Sequence, residues 1–133
     1  MDEVTLPWPP KALSPNARVH WRTHAKAKKD YREACAWACK AAKLTVPEDG
    51  GYIHLWIDCY PPDKRRRDDD NIIAAFKAGR DGIADALGID DTRFICHAFV
   101  KDQIGGMLKV RITGEVPGQS ITAAWRPLPE LEP

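Results

Sequence analysis

The chain has no apolar run approaching the ~18 residues of a membrane-spanning helix, so no transmembrane span is expected. Its first residues, MDEVTLPWPP, lack the basic and apolar blocks of a secretory signal. Only four cysteines occur, Cys35, Cys39, Cys59 and Cys96, and none forms a C-x-x-C pair. Together these absences favour reduced thiols in a cytoplasmic setting over disulfides or a zinc site. A P-loop, a G-x-G-x-x-G turn and a Ser-His-Asp arrangement are also missing, as is any internal repeat. Neither sign of charge dominates: 20 Lys+Arg stand against 19 Asp+Glu, a net of +1. Taken alone, that sum argues against a nucleic-acid binder, which usually carries a basic excess.

What is present suits one compact soluble domain. At 133 residues the chain can bury a real core, and 44% hydrophobic with 29% charged residues is ordinary for a globular protein. Residues 3–6, EVTL, read as a short strand stopped by Pro7, Pro9 and Pro10. Residues 11–20 read as a loop around Ser14-Pro15-Asn16. From about Thr23 to Leu44 there is neither Gly nor Pro, and Ala, Lys, Arg and Glu abound, which predicts a long helix. Tyr31, Cys35, Ala38 and Ala42 supply its buried stripe at helical spacing.

Residues 52–60, YIHLWIDCY, alternate as a strand, with His54, Trp56 and Asp58 on one face and Ile53, Leu55, Ile57 and Cys59 on the other. His54 and His97 are expected to be structural. A helical pattern runs from the Asp68–Asp70 region to about Leu87, and strands follow at 93–101 and 108–113 around an Ile104-Gly105-Gly106-Met107 turn. The predicted fold is α+β: a mixed or mostly antiparallel sheet of about four strands with two main helices, over residues 1–114. Residues 115–133, with four of the eleven prolines, form an irregular tail.

The most informative stretch is Lys64-Arg65-Arg66-Arg67 running into Asp68-Asp69-Asp70-Asn71, with Asp90-Asp91 beyond the next helix. In an extended segment Asp68 and Asp70 point the same way while Asp69 points away. Two carboxylates on one side repel unless a cation lies between them, and a hard divalent ion prefers oxygen ligands. Carboxylates converging from separate elements make a phosphoryl-transfer metal site. The competing reading of an acidic run is a solvated patch or a helix N-terminal cluster.

Along the helix, Ile72, Phe76, Ile83 and Leu87 share one face while Asp70, Lys77 and Asp81 share the opposite one. Lys77 is placed either to meet a phosphate or to pair with Asp81 at i,i+4. Gly79 and Gly82 imply a close backbone approach or a bend.

Those residues resemble a known family. Asp68-x-Asp70-Asn71, then Lys77, then Asp81-Gly82-Ile83, then Asp90-Asp91, preceded by LPWPPKALSPNARVHW, are similar to the motifs of the RusA-type Holliday junction resolvases. The resemblance touches much of residues 5–94. It implies a small homodimeric, Mg²⁺-dependent endonuclease of bacterial or prophage origin, with Mn²⁺ as a substitute ion. Such an enzyme resolves four-way DNA junctions in recombination and repair. It carries the catalytic aspartates onto Asp68, Asp70 and one of Asp90 and Asp91, Asp91 being favoured. The metal would be held by Asp68, Asp70, Asp90 and Asp91. The family lysine falls on Lys77 if an insertion after Asn71 is allowed, and the preceding arginine on Arg67.

DNA contacts are expected from Arg18, Arg22, Lys26, Lys28, Lys29, Lys64, Arg65, Arg66 and Arg67. Residues 18–43 hold eight Lys/Arg against only Asp30 and Glu33. Trp21 is a candidate for stacking on an unpaired base. The near-neutral sum then reads as a cancellation between a basic surface and an acidic metal site. Two rival readings share the same residues: a non-catalytic DNA-binding protein of this fold, and a metal-dependent nuclease acting on flaps or RNA.

Overall fold

The computed structural model describes residues 3–47, 51–64 and 69–114, with only the backbone of Asp69. Arg65, Arg66, Arg67, Asp68 and the predicted tail lie outside the described residues. The elements run β1 (Glu3–Pro7), α1 (Trp21–Ala41), β2 (Ile53–Tyr60), α2 (Asp69–Ala75), α3 (Lys77–Leu87), β3 (Phe94–Val100) and β4 (Met107–Thr113). Short 3-10 turns occupy Lys11–Leu13 and Asp91–Arg93. The domain is α+β with a four-stranded mixed sheet in the order β1-β4-β2-β3. β4 pairs antiparallel with both β1 and β2, whereas β2 and β3 pair parallel across the α2–α3 connection.

β1 is an edge strand, so the missing N–H of Pro7 at its end leaves no inner ladder bond broken. The Pro7 carbonyl instead accepts the Tyr31 hydroxyl at 2.6 Å, tying β1 to α1. The core lies between one sheet face and the helices. Val4 and Leu6, Ile53, Leu55 and Ile57, and Leu108, Val110 and Ile112 meet Tyr31, Cys35, Cys39, Ile72, Phe76 and Ile83 there. Cys35, Cys39 and Cys59 are buried and form no disulfide, and burial pushes Cys35 up to about 12 and Cys39 up to about 11.

Two expectations are corrected. First, α1 starts at Trp21 rather than Thr23, because the His20 ring accepts the Arg22 N–H at 3.1 Å and caps the helix. It ends at Ala41 rather than Leu44, where Lys43 turns left-handed (φ 56°) and Leu44 and Lys43 donate back to Cys39 and Lys40. Second, the single helix after residue 68 is two: at Phe76 the N–H is shared between the Ile72 and Ile73 carbonyls, and the chain restarts as α3. Both faces of β2 are covered over its first five residues. His54 and Trp56 are buried too, stacked on His97 at ring distances of 5.1 and 4.2 Å and 6.1 Å from each other.

α3 sits tight on α1. A Cβ on Gly82 would run into the Arg32 carbonyl oxygen and lie 3.0 Å from the Cys35 Cβ. The sequence left a bend or a close approach open; at Gly82 it is a close approach. α3 ends at Gly88, whose left-handed φ of 68° lets Ile89 and Gly88 donate to Ala84 and Asp85. That turn folds the next residues back over the helix and sets the geometry of the site.

Candidate active site

Two aspartates are brought together by the Gly88 turn. Asp81 projects from α3 and Asp91 from the 3-10 turn before β3, within hydrogen-bonding reach of each other. Loss of water raises the Asp81 pKa, and the Asp91 carboxyl raises it further, against the pull of Arg32 and Arg80. With Asp85, Asp90, Ala84, Ile89 and Arg32 they line an open acidic cleft of about 330 Å³. A carboxyl that resists ionising beside a second one marks a place where positive charge is favoured.

The two members of the Asp90-Asp91 pair do different things. Asp90 is exposed and accepts the Thr92 N–H at 3.0 Å, which holds its own pKa low and caps the 3-10 turn. Asp91 turns inward, and Arg80 Nη2 stands 3.5 Å from its Oδ2. Neither begins β3, since Asp91–Arg93 form the 3-10 turn and the strand starts at Phe94. Arg93 instead ties this turn to Gly51, donating to its carbonyl at 2.9 Å.

Asp70 lies in α2 and is exposed. Its neighbour relation to Asp69 is therefore helical, and the extended alternation expected for the acidic run does not hold from residue 69 onward. Asp68 lies outside the described residues. Among the described residues, no group of three or more His, Cys, Asp or Glu side chains gathers closely enough to hold a metal ion. The donors that do converge, Asp81 and Asp91, have the hard oxygen chemistry that suits Mg²⁺ or Mn²⁺. Asp70 does not join Asp81 and Asp91 in such a group.

Lys77 opens α3 and is exposed. It does not form the expected ion pair with Asp81, because Asp81 is turned toward Asp91 and Arg32. Lys77 and Arg80 instead rim an apolar cavity of about 180 Å³ lined by Ile57, Ile72, Phe76 and Cys96. Arg80 is the residue that sequence reasoning missed. Its Nε is buried without a partner, and its charge acts on both Asp91 and the Cys96 thiol. The signal was faint: an arginine between Gly79 and Asp81 reads as solvent-facing.

Arg18, Arg22, Lys26, Lys28, Lys29 and Lys64 are all exposed, although Lys26 is engaged with Asp30 at 2.7 Å. Arg65, Arg66 and Arg67 lie outside the described residues. Trp21 is 68% exposed, with Arg22 over its ring and His20 stacked on it. Arg32, not singled out from the sequence, clasps Asp85 through two bonds of 2.6 and 2.8 Å and keeps that carboxyl well below its usual range. No helix among the described residues is long and apolar enough to cross a membrane.

No protein-family model matches the chain. An uncharacterized protein of Xylella fastidiosa is 49% identical over 119 residues, which cover 86% of this chain and 77% of that protein. A protein of Escherichia coli described as crossover junction endodeoxyribonuclease RusA is 34% identical over 114 residues, 83% of this chain and 92% of its own. A protein of the same description from Enterobacteria phage 82 is 33% identical over the same coverage.

Proposed function

The chain belongs to the RusA family of crossover junction endodeoxyribonucleases, and on that premise we propose that it resolves four-way DNA junctions by paired, Mg²⁺-dependent phosphodiester hydrolysis. Recombination and repair are the processes such a reaction serves. The observation that carries the reading is the cleft, in which carboxyls from two separate elements face one another beside the exposed cations of α1.

Asp68, Asp70 and Asp91 are the proposed metal ligands, with Asp90 the alternative from its pair. When bound, the divalent ion supplies an activated water and stabilises charge on the phosphate. The chain's own groups do the rest. Arg80 holds Asp91 at the cleft. Asp81, kept from ionising readily by burial and by Asp91, is a second oxygen donor at the same place. Lys77 and Arg67 meet the non-bridging phosphate oxygens, where added positive charge favours the transition state over the ground state. Arg18, Arg22, Lys28, Lys29 and Lys64 hold the arms of the junction through their phosphates. Paired cutting needs two sites related by a two-fold axis, so the working form is a homodimer.

The test compares wild type and Asp70→Asn on a synthetic four-way junction, a flap, a duplex and an RNA hairpin, with and without Mg²⁺. Wild type is expected to cut the junction symmetrically and only with the ion. The variant is expected to bind the junction as well or better and not to cut it. Normal cutting by the variant removes Asp70 from the site. Equal cutting of flap or RNA replaces the substrate, and tight binding without any cutting leaves a non-catalytic DNA-binding protein.

A further inference from the structure

Two tryptophans are the most exposed large hydrophobic side chains of the described residues: Trp21 at 68% and Trp37 at 71%. Both lie on α1, and the proposed function leaves Trp37 without a role. Leaving an indole in water forgoes roughly 2–3 kcal/mol of burial, so its place in the fold asks for a reason. Trp37 belongs to the helix stripe Arg22, Lys26, Lys29, Glu33, Trp37 and Lys40, spaced at i, i+4 and i+7 and turned away from the buried Tyr31, Cys35 and Cys39.

Its surroundings narrow what could cover it. A protein-interface core surrounds a tryptophan with apolar residues and excludes charge. Around Trp37 the stripe offers Glu33 and Lys40 and the exposed Ala34 and Ala41 instead. Lys40 Nζ lies 5.5 Å from the centre of the Trp37 ring, a cation–π contact on a ring that stays mostly in water. Lys40 also acts on Asp85, whose carboxyl lines the acidic cleft, so this end of α1 borders the proposed site of cutting. An aromatic face among cations beside a nuclease cleft matches the chemistry of a nucleotide with an unstacked base.

We propose that Trp37 and Lys40 form a base-stacking platform for an unpaired base at a DNA branch, while Arg22 and Lys29 of the same stripe hold the phosphates of the adjoining arm. The inference rests on the branched-DNA reading above. A base inside a duplex has no free face, so only a base unstacked at a branch or end can lie on the indole. The platform therefore adds discrimination for branched over continuous duplex, which a row of lysines alone does not give. Glu33 works against phosphate at one position and places the strand toward Lys40.

The experiment measures binding of the full chain to a four-way junction, a forked duplex with 2-aminopurine at the branch and a long blunt duplex, in EDTA so that nothing is cut. Trp37→Ala is expected to weaken junction and fork binding about tenfold and to change duplex binding less than about twofold. Trp37→Phe, which keeps a stacking ring, is expected to recover most of the loss. The 2-aminopurine fluorescence should be quenched by wild type and Trp37→Phe and not by Trp37→Ala. If wild type separates fork from duplex and Trp37→Ala does so equally well, the platform is overturned and the nuclease reading stands. If wild type itself does not prefer branched DNA, both fall. An equal loss on all three DNAs also overturns the platform, since it marks a general loss of phosphate contact or of fold.

Discussion

Acid should unfold this protein through one ring pair on the helix-free face of the sheet. His54 Nδ1 and His97 Nε2 are 2.8 Å apart and both rings are buried, at 1% and 3% exposure. Such a contact needs a neutral partner on at least one side, because two imidazolium rings offer only donors. Burial, and then the charge of His54, pushes the His97 pKa down to about 4. In the unfolded chain it returns to about 6.5. The unfolded chain therefore binds the extra proton throughout that interval. Stability is fully present above about pH 6.5 and is lost as pH falls toward about 4. At pH 4.5 the difference amounts to about 2–3 kcal/mol, the upper bound for this pair acting as one group.

For a domain of this size that corresponds to a melting temperature about 10 °C lower than at pH 7. Another group contributes in the same range: the raised Asp81 has the opposite sign. The measurement is therefore a difference. Thermal unfolding followed by circular dichroism at pH 7, 6, 5 and 4.5 compares wild type with His97→Gln, which keeps an amide to meet His54 but cannot be protonated. The variant is expected to start less stable and to lose about 2 kcal/mol less over the interval. Parallel curves for the two proteins would refute the reasoning.

Replacing Arg80 with Met removes the cation 3.5 Å from Asp91 and lets an apolar chain occupy the cavity rim. Because the pair is about one-third exposed, stability should change by no more than about 1 kcal/mol, while the Mg²⁺ concentration for half-maximal cutting falls. An unchanged Mg²⁺ midpoint would separate Arg80 from the ion site. Gly82→Ala places a Cβ against the Arg32 carbonyl and should cost about 1–3 kcal/mol in urea unfolding, despite the ~1 kcal/mol gain in helix propensity. A variant as stable as wild type would mean that α1 and α3 are not held at this separation. Lys28→Ala with Lys29→Ala should lower the slope of log binding constant against log salt by roughly two, and a slope that does not move would take α1 off the DNA.

The sheet was legible because its strands carry local signals. β4 alternates buried and less buried positions, β2 is rich in β-branched and aromatic residues, and Pro61 and the Gly105-Gly106 turn bound them. Less legible was anything fixed by two elements at once. Phe76 carries no helix-breaking chemistry, yet the helix divides there, where the side chain enters the core edge-on to Tyr31. Wheel geometry put Asp81 beside Lys77, which is right for an isolated helix. The pairing fails because Gly88 brings Asp91 over the helix and Arg32 reaches across from α1, two contacts that sequence spacing does not contain.

The same distinction governs the site. Residue types predicted the chemistry: oxygen donors in two clusters and a basic helix between β1 and β2. Within the second cluster a cap separates the two aspartates. Asp90 accepts the Thr92 N–H with its carboxylate, and a side chain one residue on, about 120° away round a 3-10 turn, is thereby aimed at α3. Exchanging the two roles would need the turn to begin one residue later, which the Gly88 cap and the Arg93–Gly51 bonds oppose at either end. Asp91 thus owes its place to hydrogen bonds made by its neighbours. Substituting Thr92 with Pro, which deletes that N–H, should disturb the cleft as much as losing an aspartate would.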